Sequence, residues 1–175
     1  MEIRKGTQQD IDEVSALYDD ICDYLEKHIN YPGWRKGIYP TREDAVQGIQ
    51  EENLFVAIEK GNIVGTVILR HQPEEAYNLV DWHNNLDYND IFVAYTFAVH
   101  PNYLHQGVGR KIMEFVLDYA MHKNMKAVRL DVYEKNTPAI RLYEKMGFHY
   151  IDKVDLGYTE YGLDWFKLYQ RFLFP

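Results

Sequence analysis

The chain has 175 residues, with 27 acidic and 19 basic side chains and a formal net charge of −8. That balance argues against a nucleic-acid partner, which selects a basic stripe, and the lone cysteine, Cys22, excludes an intrachain disulfide or a cysteine metal cluster. The opening MEIRKGTQQD has no apolar signal region, and no apolar run approaches the roughly 20 residues of a membrane span, so the expected setting is cytoplasmic with no membrane partner.

The length predicts a single domain, 1–175, with one sizeable core. Glu2–Lys5 reads as a short first strand. Thr7-Gln8-Gln9-Asp10 has the form of a capping box with Asp in the usual Glu or Gln place. Ile11, Val14, Leu17, Tyr18, Ile21, Leu25 and Ile29 then recur at helical spacing. Cys22, beside Ile21, is expected to pack rather than react. The helix should stop before Tyr31-Pro32-Gly33. NYPGWRKGIYP is a loop rich in aromatics and glycine, and Thr41 with Asp44 caps a second, short helix carrying Ala45, Val46 and Ile49. Leu54–Glu59 and Ile63–Arg70 are β-rich runs joined by a Lys60-Gly61-Asn62 turn. Residues 71–90, HQPEEAYNLVDWHNNLDYND, are long, polar and without a period; such loops are often functional.

Ile91, Val93, Tyr95, Phe97 and Val99 alternate and predict a strand. Ile112, Met113, Val116, Leu117, Ala120 and Met121 predict a helix beginning near Val108, and Lys126–Val132 a further strand. Thr137 is placed to cap the next helix, AIRLYEKM, with Pro138 at its first position and Gly147 at its end. Phe148–Val154 and Asp164–Phe172 close the chain as strands. The predicted order is β-α-α-β-β-β-α-β-α-β-β, a mixed α/β sheet with helices.

Residues 101–111, PNYLHQGVGRK, join a strand to a helix through two glycines. Glycine weakens a helix start by about a few tenths to one kcal/mol relative to alanine, so Gly107 and Gly109 imply a need for bare backbone. The first helical N–H groups have no intrahelical partner and carry partial positive charge. Without side chains in the way, a pyrophosphate can approach them. His105, Arg110 and Lys111 add positive charge. Tight strand–helix packing is the competing reading of a bare Gly-x-Gly. A dinucleotide fingerprint would need a third glycine where Ile112 stands, and the P-loop pattern is absent.

The run AVHPNYLHQGVGRKIMEFVLDYA, followed further along by LDVYEKNTPAIRLYEKMGF, resembles the GNAT superfamily of acyl-CoA-dependent N-acetyltransferases. The first run matches the family's pyrophosphate motif, V-x-P-x-Y-[RQ]-x-x-G-x-[GA], with Leu104 at the [RQ] position. The second matches N-x-x-A-x-x-x-Y-x-x-x-G-F, and IRKGTQQDIDEVSALY looks like the family's first strand and helix. The resemblance implies an α/β (mixed α+β) fold: a central mixed, largely antiparallel twisted sheet flanked by helices, with a CoA-binding strand–turn–helix. It implies acetyl-CoA as co-substrate. Its contacts would be the strand backbone of Phe97, Ala98 and Val99, the turn through His105, Gln106, Gly107, Val108, Gly109, Arg110 and Lys111, and then Asn136, Ala139 and Tyr143.

The implied reaction moves an acetyl group to a primary amine. It requires a base for the amine proton, an N–H donor aimed at the thioester carbonyl, and an acid for the departing thiolate. Tyr143, at the motif tyrosine, is the expected acid, its phenol having a basicity comparable to a thiolate's. Asn136 ahead of Thr-Pro is equally ordinary turn chemistry. For the base, Asp81, His83, Asp87, Asp90, Tyr95, His100 and solvent all stand open. Tyr31, Trp34, Tyr39, Trp82 and Tyr95, among many carboxylates, suit a cationic acceptor, either a small molecule or a peptide. The aromatics of the alternating end, DWFKLYQRFLFP, make it a candidate homodimer surface. The alternative function is a non-catalytic acyl-CoA-binding or regulatory module on the same fold.

Overall fold

A computed structural model describes residues 1–174. Its strands and α-helices follow the predicted order: β1 Glu2–Lys5, α1 Ile11–Lys27, α2 Arg42–Gln50, β2 Leu54–Glu59, β3 Asn62–Arg70, β4 Ile91–Val99, α3 Val108–His122, β5 Ala127–Tyr133, α4 Thr137–Lys145, β6 His149–Val154 and β7 Phe166–Phe172. The strands hydrogen-bond in the order β1-β2-β3-β4-β5-β7-β6. The chain divides into two compact units. One holds Met1–Asn30, Trp34–Leu69 and Tyr95–Phe115; the other holds Tyr31–Gly33, Arg70–Ala94 and the chain from Val116 onward. No helix among the described residues is long and apolar enough to cross a membrane.

In the first unit, β1, β2 and β3 form an antiparallel meander. The helical spacing read from the sequence gathers Val14, Leu17, Tyr18, Ile21 and Leu25 on one face of α1. They join Ala45 and Ile49 of α2, Leu54, Val56, Ile63 and Ile68 of the sheet, and Ala98 of β4 in one buried cluster. Each Val, Leu or Ile side chain among them contributes about 1.5–3 kcal/mol on full burial. Both capping boxes form: Thr7 N–H donates to Asp10 Oδ2 at 2.7 Å, and Thr41 N–H to Asp44 Oδ2 at 2.7 Å. Asp10 also accepts a two-pronged ion pair from Arg4, at 2.8 and 3.0 Å, which holds its carboxyl below the ordinary range. Cys22 is buried, and burial pushes its thiol up to about 11, so it packs and does not react.

In the second unit, Ile91–Val93 of β4 pair in parallel with Ala127–Arg129 of β5. β5 then pairs antiparallel with β7 along its whole length, from Ala127↔Phe172 to Tyr133↔Phe166, and β7 pairs with β6. The 71–90 segment, predicted as irregular, contains two 3-10 turns, Glu75–Leu79 and Tyr88–Asp90.

Three local expectations are corrected. α1 ends at Lys27, so Ile29 lies outside it and is 66% exposed. The cause is His28, whose Nδ1 contacts Tyr24 O at 2.8 Å while its ring stacks on Tyr24. Met121, expected on the apolar face of α3, is an exposed residue near its end. The cap of α4 is Asn136, whose Oδ1 accepts from Ala139 N–H, and Thr137 is already helical.

Candidate active site

The glycine turn belongs to the first unit, and its neighbours explain its shape. β4 reaches it through a kink: Thr96 has φ +47, a left-handed conformation rare in a strand and costing about 1–2 kcal/mol. Hydroxyls hold that kink. Thr66 Oγ1 donates to Thr96 O at 3.3 Å, which uses its only proton, so Tyr18 Oη is the donor to Thr66 Oγ1 at 3.1 Å. Tyr39 Oη meets Thr96 Oγ1 at 2.5 Å.

β4 is tied off at its end by His100 N–H, which donates to Val64 O at 2.7 Å. The His100 ring opens the next turn by accepting Asn102 N–H on Nδ1 at 3.1 Å. Its proton therefore sits on Nε2, which faces Asp20 Oδ2 at 3.3 Å. Both ring nitrogens of this base candidate are engaged in holding the turn. A short 3-10 turn, Pro101–Tyr103, follows, then Leu104, exposed at the position where the motif carries Arg or Gln.

α3 starts at Val108. Lys111 N–H donates to Gly107 O at 3.0 Å, so intrahelical bonding begins there and the N–H groups of Val108, Gly109 and Arg110 precede it. Gly107 has φ +79, and a Cβ built on it would meet nothing within 4 Å. This glycine does not serve close packing. Its backbone is open, as an approaching pyrophosphate requires. His105 also has a positive φ, +62, and is exposed, like Gln106, whose amide donates to Asn102 O at 3.0 Å. Arg110 lies along the helix surface, its Nε 2.9 Å from Glu114.

A glycine on the neighbouring strand does serve packing beside this turn, and it was not singled out in the sequence. A Cβ on Gly65 of β3 would stand 2.6 Å from Ile112 Cδ1 and 2.8 Å from Ala98 O. Its absence lets the first turns of α3 lie directly on β3, which sets where the glycine turn sits. Phe97, Ala98 and Val99 occupy the last three positions of β4, with Ala98 buried in the cluster above.

The second unit holds Tyr143, Asp131 and Arg129. Tyr143 of α4 is buried against Phe148, their ring centroids 5.9 Å apart. Burial first, and then the charge of Asp131, push its phenol above the ordinary tyrosine range, so it stays protonated but is a weaker acid than the phenol of thiolate-like basicity expected from the sequence. Asp131, in the middle of β5, was missed by sequence reasoning. The residue retains some exposed surface, yet desolvation pushes its carboxyl up to about 6 against the hydrogen bond from Tyr77 Oη, 2.6 Å from Oδ2, while Glu74 adds to the rise. The available signal was an acid inside the strand VRLDVY, two residues from Arg129 and therefore on the same face.

Arg129 is itself buried. Its Nε donates to Gln170 Oε1 at 2.7 Å and its Nη2 to Asn84 Oδ1 at 3.0 Å, and the guanidinium lies 4.2 Å from the Trp82 ring and 5.0 Å from that of Tyr88. Trp82, expected among the acceptor aromatics, is thus a buried part of this cluster, with Nε1 donating to Tyr77 O at 2.9 Å. Asn136 spends its side-chain oxygen on the cap that Ala139 completes.

The remaining candidates are dispersed. Asp81 and His83 pair on the surface, 3.4 Å apart. Asp87 caps a 3-10 turn through Asn89 N–H, and Asp90 pairs with Lys126 at 3.4 Å. Tyr95 packs against the first unit's cluster together with Trp34, which meets Tyr39 edge-on at 5.9 Å. Tyr31 falls in the second unit.

Residues 15–148 match the model of the acetyltransferase (GNAT) family. An uncharacterized N-acetyltransferase of Methanocaldococcus jannaschii is 25% identical over 137 residues, covering 74% of this chain; the chain spans 57% of that relative's length. A GNAT-family acetyltransferase structure from Streptococcus agalactiae aligns over 98% of this chain and 94% of its own, with TM-score 0.78 and 20% identity. The structure of yncA from Salmonella typhimurium with its cofactor acetyl-CoA aligns over 100% of this chain and 95% of its own, with TM-score 0.68 and 17% identity. The motif order, the kinked strand running into an open glycine turn, and a family match over most of the chain lead to one conclusion: this chain belongs to the GNAT family of acetyltransferases.

Proposed function

We propose that the chain is an N-acetyltransferase that moves an acetyl group from acetyl-CoA to a primary amine of a small molecule or peptide. The observation that carries the reading is the pair in the second unit: a desolvated carboxyl, Asp131, titrating near 6, and a phenol, Tyr143, held protonated. Burial raises both groups, yet from different ordinary values, so near pH 7 the carboxyl can accept a proton and the phenol can donate one, the roles of a base and an acid.

Acetyl-CoA supplies an activated thioester when bound. The open backbone at Gly107 and the leading N–H groups of α3 fit its pyrophosphate. With its carboxyl pushed up to about 6, Asp131 can still hold a negative charge at pH 7. In the proposed transfer, the amine nitrogen bonds to the acetyl carbon as the carbon–sulfur bond breaks. Asp131 accepts the proton the nitrogen releases, directly or through water. Tyr143 gives its proton to the departing sulfur and is reprotonated from solvent. Trp34, Tyr39 and Tyr95 of the first unit are proposed to contact the acceptor.

The test is thiol release from acetyl-CoA across a panel of amines, corrected for hydrolysis, with wild type and Tyr143→Phe. We expect amine-dependent release, and a kcat at least ten-fold lower in the variant, as the loss of a general acid predicts. Equal kcat in both proteins removes Tyr143 from the mechanism. The exposed Leu104 favours a second reading, a non-catalytic acyl-CoA-binding module. Acetyl-CoA binding without release for any amine would establish that reading instead.

A further inference from the structure

Tyr77 is fully buried, yet it ends in a hydroxyl that a packing role does not require. That hydroxyl donates to Asp131 Oδ2 at 2.6 Å, a short charge-assisted bond. The donor comes from the 71–90 segment and the acceptor from β5, so the bond is specified by the fold of this unit. The Tyr77 backbone is itself held: its carbonyl accepts from Trp82 Nε1 at 2.9 Å, and the Trp82 ring is covered by Arg129. Arg129 and Asp131 lie two residues apart on β5 and share a face. The segment is therefore pinned to the strand at two successive positions, once by a cation on aromatic rings and once by a phenol on a carboxylate.

We infer that Tyr77 is a positioning residue for acetyl transfer, its hydroxyl aiming the Asp131 carboxylate that accepts the amine proton. The inference rests on Asp131 having that role. The groups facing Asp131 are Tyr77 and Glu74 from the 71–90 segment and Tyr143 from α4; its β7 neighbour, Leu168, carries no charge. Of these, Tyr77 favours the ionised carboxylate and opposes the burial that raises it. Without the donor, Asp131 would be protonated over more of the working pH range and free to rotate away from the acceptor.

The experiment uses the full chain and reads two quantities: the titration of the Asp131 carboxyl by carbon-13 NMR, and the pH dependence of kcat/KM for the best amine. In Tyr77→Phe, which keeps the ring, we expect both the Asp131 titration and the acid limb of the rate profile to move up together by about one to two pH units, the size of one hydrogen bond to a charged group. As a second arm, 3-fluorotyrosine incorporated at position 77 is a more acidic donor and should move both downward. An Asp131 titration unchanged in both arms overturns the inference, even where Tyr77→Phe lowers Tm, because a purely structural role does that. A titration that moves while the acid limb stays in place also overturns it, and locates the failure in the assignment of Asp131 as proton acceptor.

Discussion

Asp131→Asn should stabilise the protein at pH 8 while impairing it as a catalyst. The carboxyl's ordinary value of 3.8 is pushed up to about 6, chiefly by burial. A folded pKa above the unfolded one means that the folded state binds the proton more tightly. The associated stability is complete below about pH 4 and is lost as pH rises through about 6. A rise of about two units at ~1.4 kcal/mol per unit makes the ionised carboxylate about 3 kcal/mol less favourable in the folded state than in the unfolded one. Asn cannot ionise, and its Oδ1 still accepts from Tyr77, so the variant escapes this loss. For a domain of this size, ~3 kcal/mol corresponds to a Tm difference of roughly 6–12 °C. The assay is thermal unfolding of wild type and variant between pH 4 and 8. Wild type should lose stability relative to the variant across pH 4–7, and the gap should be flat above. Reading the change in the gap with pH, rather than the gap itself, cancels whatever the amide alters in packing. Parallel curves would refute the desolvated carboxylate, and with it the reason for choosing Asp131 as base.

Two further outcomes test the turn and its support. Gly107 combines a left-handed φ with open space, so Gly107→Ala should lose about 1 kcal/mol of stability to backbone strain and keep acetyl-CoA binding. Gly107→Glu adds a carboxylate facing the pyrophosphate and should weaken binding at least ten-fold by calorimetry; equal affinities in the two variants would remove the turn as the cradle. Gly65→Ala places a Cβ 2.8 Å from a backbone oxygen, Ala98 O, which no rotamer change relieves. Overpacking of this kind destabilises by about 1–3 kcal/mol, and an unchanged midpoint in urea would show that β3 and α3 separate freely.

Most of the fold was legible because its signals are local. The 3.6-residue period of α1 and α3, the alternation of β4, the two Thr–Asp boxes and the loop glycines act within a few residues of themselves, and the chain's elements follow the predicted order. The errors fell at element ends, where one side chain outcompetes the pattern: the His28 ring on Tyr24 stopped α1, and the Asn136 oxygen capped α4 one residue early. The glycine turn was legible for the same local reason. What defines the site chemically was not. Asp131 is a carboxylate in a strand, and only tertiary packing desolvates it and brings it the Tyr77 hydroxyl, 54 residues away in sequence. Trp82 carries no local sign of the Arg129 guanidinium that covers its ring, because the two lie 47 residues apart in sequence. Local periodicity and turn chemistry were therefore determined by sequence alone. The protonation states, the kink at Thr96 and the glycine that seats α3 were decided by tertiary structure, because desolvation and close approach depend on which distant residues the fold brings into contact.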